Sequence, residues 1–282
     1  MKKILSVISF AICLVMIASA FAGCATEKKT AKVIDIELTQ EDYAFGVDKD
    51  QPELLEKVNA FIEKIQSNGK FDEICDHYFG TSEKVGVTSA ELDTSKDQLV
   101  VATNASFEPF EFKEGDTYYG IDMEIAALLA DELGLELVIS DMDFDAVCLS
   151  VGEHKCDIAM AGLTVKEERK EYVTFSNTYY KASQKLIVVE GDTTFDDCKT
   201  AEDVVAKLAS FDSSTTVGVQ NGTTGNMYVT NGDGFEDNNF KVTCKGYKNG
   251  SLAVQDLLNG NIQYVVIDAA PAECIVKAYN QQ

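Results

Sequence analysis

Short apolar runs alternate along the chain with longer segments in which apolar residues recur at helical spacing. Beyond residue 97 this pattern predicts strands at 99–102, 135–139, 156–161, 185–189, 215–219, 240–243 and 263–267. It predicts helices at 122–133, 145–151, 166–171, 201–209, 250–258 and 271–279, and another that begins after Gly225. Such alternation is typical of mostly parallel sheets with helices on both faces. The fold class is therefore α/β, and the length of the pattern indicates two lobes.

The front of the chain has elements of its own. Strands are predicted at 33–38 and 43–47, and an amphipathic helix begins at Pro52 and ends before Gly69. A shorter helix follows at 71–79. Residues 81–96, rich in Ser, Thr, Asp, Glu and Lys, indicate a linker.

The first 23 residues have the order of a secretory signal, with two lysines followed by an apolar stretch. The pair Ala22-Gly23 before Cys24 resembles the box of bacterial lipoproteins, which implies lipidation of Cys24 and a tether at 24–32. Ordinary signal cleavage and a retained anchor helix are the alternatives. Cleavage and lipidation would place the protein on the extracellular face of the cell membrane, held by its lipid.

Charge and cysteine content exclude several classes of function. The 282 residues carry 24 Lys+Arg against 47 Asp+Glu, whereas nucleic-acid binding needs clustered positive charge. Neither a CxxC motif nor a cluster of His is present, so we expect no zinc site and no cofactor. The six cysteines beyond Cys24 leave disulfide pairing open.

The only arginine of the chain, Arg169, follows a predicted strand. Thr164 and Glu167 have the spacing of a capping box, which predicts a helix start whose free N–H groups favour an anion. A planar guanidinium in the first turn can hold a carboxylate with two hydrogen bonds. The alternative is a surface arginine paired with a glutamate.

Three further places follow predicted strands and could face the same ligand. Asp268 could accept an ammonium group, or could cap the helix at Pro271. The turn 220–225 has small residues that expose backbone N–H groups. Phe107 and Phe144 could line a ligand, although phenylalanine is more often part of a core. No GxSxG, HExxH or Cys–His arrangement is present, so the sequence favours a binding protein over an enzyme.

Six segments resemble, in the same order, the polar amino-acid type of bacterial extracellular solute-binding protein, family 3, the receptor of ABC importers. They are 102–112, 120–122, 142–145, 161–170, 175–180 and 222–225. The resemblance implies a two-lobed periplasmic-binding-protein type II fold with a two-strand hinge. It also implies a monomer that closes on an amino acid and presents it to a membrane permease.

The order of the parts departs from this family. A crossing strand and two helices usually end such chains, and similar residues stand here at 33–80, ahead of the rest. This implies a circular permutation, in which residues 31–36 share a sheet with the strands of 215–267. The implied parts are lobe 1 at 43–180 (43–80, linker 81–96 and 97–180), lobe 2 at 33–38 plus 183–282, and a hinge at 39–43 and 179–183.

The resemblance assigns roles to nine residues. Arg169, Thr164 and the Thr224 amide would hold the α-carboxylate, Asp268 and the Gly162 carbonyl the α-ammonium, Phe107 and Phe144 the side chain, and Asn104 and Gln220 its tip. Receptors for basic amino acids often have an acidic residue at the position of Asn104, so we expect a neutral polar ligand. A sensory receptor without transport and a dehydratase-like enzyme on the same scaffold are the alternatives.

Overall fold

The computed structural model describes residues 29–281, and the strands within that range form three sheets. The strands are β1 (Ala31–Ile34), β2 (Glu41–Asp48), β3 (Gln98–Thr103), β4 (Ser106–Phe107), β5 (Glu111–Glu114), β6 (Thr117–Tyr119), β7 (Glu136–Asp141), β8 (Ile158–Ala159), β9 (Val173–Ala182), β10 (Gln184–Val189), β11 (Thr216–Gln220), β12 (Thr243–Tyr247) and β13 (Tyr264–Asp268). The predicted signal, the lipidation site at Cys24 and the tether up to residue 28 lie outside the described residues.

Helices cover both large sheets. They are α1 (Pro52–Ser67), α2 (Lys70–Phe79), α3 (Ile121–Leu133), α4 (Phe144–Gly152), α5 (Ala201–Ala209), α6 (Thr224–Thr230), α7 (Gly250–Leu258) and α8 (Ala269–Gln281). Two 3-10 helices occupy Glu168–Glu171 and Glu236–Asn238. Between residues 29 and 281 no helix has both the length and the apolar character to cross a bilayer.

Lobe 1 is built on a five-stranded sheet in the order β7-β3-β8-β2-β9. β3 pairs in parallel with β7 and β8, whereas β2 runs antiparallel to β8 and β9. Lobe 2 has the order β1-β10-β13-β11-β12, with β11 parallel to its neighbours and β10 antiparallel to β13 and β1. The α/β architecture predicted from the pattern is confirmed. Both sheets are mixed because the strands that pass between the lobes enter them antiparallel.

Between residues 29 and 281 the chain crosses from one sheet to the other twice. The first crossing is the segment 35–40 between β1 and β2, and the second is Ser183 between β9 and β10. The two crossings are tied together, since Leu38 N–H donates to the Gln184 carbonyl at 2.9 Å and Gln184 N–H donates to Thr39 Oγ1 at 2.8 Å. Two adjacent covalent crossings are a geometry that permits hinge motion.

Residues 31–34 lie in the sheet of lobe 2, where β1 pairs with β10. This is the position that the permuted order requires, and the permutation itself stays a prediction. The start and end of the described chain also meet, because Ala31 N–H donates to Asn280 Oδ1 at 3.1 Å and Asn280 Nδ2 donates to the Ala31 carbonyl at 2.9 Å.

The predicted linker at 81–96 is only partly free of the lobe. Val87 is buried and exchanges backbone hydrogen bonds of 2.8 and 2.9 Å with Tyr118, and Ala90 N–H donates to the Leu137 carbonyl. Residues 91–96 are exposed. The polar composition of the segment gave no indication that Val87 packs at the edge of the core.

Several predicted boundaries were wrong. The strand expected at 156–161 is reduced to β8, and the strand expected at 240–243 begins only at Thr243. The three-stranded sheet β4-β5-β6 was not predicted, because strands of two to four residues are too short to show a period. The six cysteines of the described chain are free thiols.

Candidate functional site

The candidate site lies between the lobes, where the carboxyl ends of strands from both sheets meet. Asn104 and Gly162 follow β3 and β8 of lobe 1, and Gln220 and Asp268 end β11 and β13 of lobe 2. Gln220 Nε2 donates to Asn104 Oδ1 at 3.0 Å, so the two sets of strand ends touch directly. Ligand sites in open α/β sheets lie at such ends.

Arg169 is buried in the wall between the lobes, with 6% of its side chain exposed. Its Nη1 donates to the Thr164 carbonyl at 2.8 Å, and its Nη2 donates to the Gly222 carbonyl of lobe 2 at 3.1 Å. The ring of Phe144 lies 5.3 Å from the guanidinium carbon. The alternative of a surface arginine paired with a glutamate is therefore wrong.

Thr164 does not form the predicted capping box. Its hydroxyl donates to Glu41 Oε2 at 2.5 Å, and the helix begins only at Glu168 as a 3-10 turn. The reason is that the segment around Thr164 runs beside β2, with Ala44 N–H bonded to the Leu163 carbonyl and Val165 N–H bonded to the Asp42 carbonyl. Extended pairing with a strand competes with a helical turn at the same residues.

Asp268 lies opposite, at the end of the buried strand β13, and is 4% exposed. Its Oδ2 accepts a hydrogen bond from the Tyr43 hydroxyl at 2.6 Å. Burial, and next the charge of Glu41, raise the pKa of Asp268 to about 7, against the opposing effects of the Tyr43 hydrogen bond and the Arg169 charge. Asp268 is thus a buried carboxyl group within electrostatic reach of both Arg169 and a second carboxylate.

Glu41 lies at the start of β2 and is itself buried. Its Oε1 accepts hydrogen bonds from Thr39 Oγ1 at 2.6 Å and Gln184 Nε2 at 3.0 Å, in addition to the bond from Thr164. The Glu41 carboxylate therefore connects Thr39 and Gln184, which lie at the two hinge crossings, to Thr164, a predicted ligand-binding residue.

Gly162 adopts a φ of +54° between two aromatic rings. An added Cβ would lie 3.0 Å from Phe107 Cε1 and 3.2 Å from Tyr43 Cε2, so a side chain would displace one of the rings. The Gly162 N–H donates to Asp122 Oδ2 at 2.9 Å, and the Tyr179 hydroxyl donates to Asp122 Oδ1 at 2.7 Å. Burial raises the pKa of Asp122 to about 7.

Phe107 is buried against Gly162, whereas Phe144 is half-buried beside Arg169. The enclosure of a ligand side chain by these two rings stays a prediction. Thr224 is the first residue of α6, so its N–H has no acceptor within the helix. Its hydroxyl is buried and has no hydrogen-bond partner among the residues that the structure describes. Both donors are placed beside Gln220 and Gly222, where the resemblance puts a carboxylate.

Sequence reasoning missed Glu41, Tyr43 and Gln184 as site residues. Glu41 and Tyr43 are two apart on a strand and share a face, which is a usable signal. Their partners lie more than 120 positions away along the chain, at Thr164 and Asp268. Contacts at such separations leave no local pattern.

Asp48, Asp50 and His154, outside the cleft, have oxygen and nitrogen atoms close enough to hold a metal ion. His154 Nδ1 is 2.8 Å from Asp48 Oδ2, and its Nε2 is 3.6 Å from Asp50 Oδ2. Hydrogen bonding and attraction to Asp48 raise the pKa of His154. A ring that faces a carboxylate with each nitrogen is the geometry of an ion pair.

Residues 99–270 match the family model of bacterial extracellular solute-binding proteins, family 3. The arginine-binding extracellular protein ArtP of Bacillus subtilis (strain 168) is 35% identical over 102 residues, which are 36% of this chain and 40% of that protein. The arginine-binding periplasmic protein of Mannheimia haemolytica is 28% identical over 176 residues, which are 62% and 65% of the two chains. The chain thus spans less than two thirds of either relative.

Two solved structures show the same fold. An ancestral arginine-binding protein bound to arginine has 33% identity and a TM-score of 0.56, over 66% of this chain and 76% of its own. The ancestral amino acid-binding protein AncCDT-1, a precursor of cyclohexadienyl dehydratase, has 28% identity and a TM-score of 0.55, over 64% and 74%. The fold is that of type II periplasmic binding proteins. Because the family model matches more than half of the sequence, the chain belongs to family 3 of the bacterial extracellular solute-binding proteins.

Proposed function

We propose that this protein is an extracellular receptor that binds a polar α-amino acid between its lobes and delivers it to an ABC importer. The observation that carries the proposal is the burial of one arginine and one aspartate, Arg169 in lobe 1 and Asp268 in lobe 2, close enough that the Arg169 charge lowers the pKa of Asp268. An α-amino acid carries one negative and one positive group a few ångströms apart. Two opposite buried charges match that arrangement.

The α-carboxylate would bind on the side of Arg169. Two of its N–H groups already donate to the carbonyls of Thr164 and Gly222, which fixes the plane of the guanidinium. A guanidinium carries five N–H donors, so others remain for a ligand. The free amide and hydroxyl of Thr224 supply further donors to the same carboxylate.

The α-ammonium would bind Asp268. Burial raises the pKa of Asp268 most, and repulsion by the charge of Glu41 raises it further when no cation is bound. An ammonium group at this point removes that repulsion and favours the ionised form of the carboxylate. The binding energy would therefore come partly from relief of an unfavourable charge arrangement.

Hinge closure would couple binding to transport. Arg169 belongs to lobe 1 and Asp268 to lobe 2, so a zwitterion that contacts both stabilises the closed arrangement over an open one. The closed form would be the one that the membrane permease accepts. The relatives are named for arginine binding, which supports an amino-acid ligand here.

The lipid anchor is a separate part of the proposal and is supported by the Ala22-Gly23-Cys24 order alone. A Cys24→Ser variant of the full chain is expected to leave the membrane fraction of expressing cells, because no acyl chain can be attached. Retention of this variant in the membrane fraction would argue for an anchor helix instead.

A dehydratase-like enzyme is the second candidate. It is favoured by Asp268, a buried carboxyl group with a pKa of about 7 that lies within electrostatic reach of Arg169. An acid–base group with such a pKa can transfer a proton near neutral pH. Incubation of the protein with amino acids and with hydroxylated cyclic acids separates the two functions. A receptor returns each ligand unchanged, whereas an enzyme releases a dehydrated product.

Calorimetry with the twenty amino acids tests the receptor function. The wild-type chain without its signal is expected to bind at least one polar amino acid, and Asp268→Asn to lose that binding. Exposed Asp197→Asn, on the same lobe, is the matched control and should bind as the wild type does. Failure of every amino acid to bind, or full binding by Asp268→Asn, would refute the proposal.

A further inference from the structure

The amide groups of Asn104 and Gln220 form a chain of hydrogen bonds with a fixed direction. It begins at the Met142 carbonyl, which can only accept, and which receives Asn104 Nδ2 at 2.7 Å. That contact places Asn104 Oδ1 on the other side, where it accepts from Gln220 Nε2 at 3.0 Å. A backbone carbonyl therefore sets the orientation of both side-chain amides.

The far end of this chain is an acceptor without a donor. Gln220 is 1% exposed, and its Oε1 is a buried atom with no hydrogen-bond partner in the described structure. A buried carbonyl oxygen without a donor is unfavourable, because it has given up its hydrogen bonds to water and gained none in return. Reversing the Gln220 amide would bring its oxygen against Asn104 Oδ1, so the network cannot remove this free acceptor by itself.

The charges nearby act in the same direction. Glu41 and Asp268 are buried carboxyl groups that line the same cavity between the lobes. Arg169 is the single arginine of the chain and would be occupied by the α-carboxylate of the ligand. A second carboxylate on a ligand would meet an acceptor and negative charge.

We infer that the cleft selects α-amino acids whose side chain ends in an N–H or O–H donor and carries no negative charge. Gln220 Oε1 is the group that accepts the hydrogen bond from this donor. This inference rests on the proposed function, because it assigns specificity within that same cleft. Amide, guanidinium and imidazole side chains meet the requirement. Carboxylate and wholly apolar side chains do not.

Titration of the wild-type protein with matched ligands tests the inference without any substitution. Glutamine and glutamate differ in one donor group and one charge, and methionine has a similar length with no donor. The tightest ligand among glutamine, arginine and histidine is expected to bind at least about tenfold more strongly than glutamate and methionine. Glutamate or methionine binding as tightly as the best donor-bearing ligand would overturn the inference.

Gln220→Met then assigns the selectivity to one atom. The variant keeps the length of the side chain and removes its amide, so the affinity for the best donor-bearing ligand should fall about tenfold while methionine changes little. Gln255→Met, at an exposed position of α7, is the control for folding and should retain the wild-type preference. An unchanged ratio in a folded Gln220→Met would overturn the role of Gln220.

The two levels of the proposal fail differently. If no amino acid binds, the receptor function is wrong. If amino acids bind and Asp268→Asn abolishes binding, but donors are not preferred, the receptor function stands and only the specificity inference is wrong.

Discussion

The hydroxyl of Tyr43 donates a hydrogen bond of 2.6 Å to Oδ2 of Asp268, across 225 positions of sequence. Tyr43 lies on β2 of lobe 1 and Asp268 ends β13 of lobe 2, so this bond joins the lobes beside the hinge. Burial and the charge of Asp268 raise the pKa of Tyr43 well above its usual value, which keeps the phenol protonated as a donor. The carboxylate proposed to receive the ligand ammonium is thus oriented from the opposite lobe.

Removal of that hydroxyl should weaken ligand binding. In Tyr43→Phe the ionised form of Asp268 loses a donor, so its pKa rises further and less of it is charged at pH 7. A hydrogen bond to a charged group contributes about 1.5–3 kcal/mol, so an affinity loss of about tenfold is expected by calorimetry. Exposed Tyr172→Phe is the control. Equal affinities of Tyr43→Phe and wild type would show that the bond does not orient Asp268 for binding.

Binding should depend on pH through Asp268. Its pKa of about 7 in the ligand-free protein means that the ammonium must displace a proton at lower pH, since only the ionised carboxylate attracts it. Affinity should therefore rise as pH increases through 7, level off above about 8, and fall towards tenfold per pH unit well below 7. Calorimetry at pH 6 in buffers of different ionisation enthalpy should detect the released proton. Constant affinity between pH 5.5 and 8.5, roughly the range of that titration, would contradict this assignment.

A contact outside the ligand cleft should set how easily the lobes close. Lys166 of lobe 1 donates to the Asp233 carbonyl of lobe 2 at 3.0 Å, and its Nζ lies 4.4 Å from the centre of the Phe235 ring. Lys166→Met removes this contact, and the expected result is a loss of affinity of about two- to fivefold with little change in unfolding temperature.

Lys170→Met is the matched control for this contact, because Lys170 pairs with Glu167 inside lobe 1. It should leave the affinity unchanged. Small-angle scattering of the ligand-free proteins should show a more open average shape for Lys166→Met alone. Equal scattering and affinity in the two variants would mean that the contact does not stabilise closure.

The permuted order can be tested by reversing it. Ala31 and Asn280 are hydrogen-bonded to each other, and residues 91–96 are exposed. A chain opened between Thr94 and Ser95, with a short Gly-Ser linker from 281 to 29, keeps every strand intact. It should melt within about 4 °C of the wild type and bind the same amino acid.

A chain opened between Leu186 and Ile187 is the control for the reordered protein. Both residues are fully buried in β10, which pairs on both of its sides. This version is expected not to fold. Should the first reordered chain fail to fold as well, the two termini are not interchangeable and the permuted interpretation loses its support.

The sequence was most informative where one residue type stands out at a strand end. Arg169 could be singled out because the chain has no other arginine, and Asp268 because it ends an apolar run. A residue that follows a strand can be recognised from its neighbours in the sequence. Parallel strands then bring such residues together at one edge of the sheet. The resemblance to the solute-binding family added Asn104, Gln220 and Thr224 as predicted ligand-binding residues.

The sequence was least informative where distant segments compete for one side chain. Thr164 has the spacing of a helix cap, yet its hydroxyl is bonded to Glu41, 123 positions away. The capping prediction considered only neighbours, and pairing beside β2 excluded the helical turn. Glu41 and Tyr43 likewise acquire their roles only when the second lobe supplies Gln184 and Asp268.

The central claim is that one amino acid binds Arg169 and Asp268 at the same time. It is tested most directly by comparing the affinity of that amino acid with the affinities of two analogues. For the tightest ligand found, one analogue lacks the α-amino group and the other lacks the α-carboxylate, with the side chain unchanged. Both analogues should bind at least about a hundredfold more weakly than the intact amino acid, since each leaves one buried charge without its partner. An affinity of either analogue within a few-fold of that of the amino acid would contradict the claim that binding needs both charged groups.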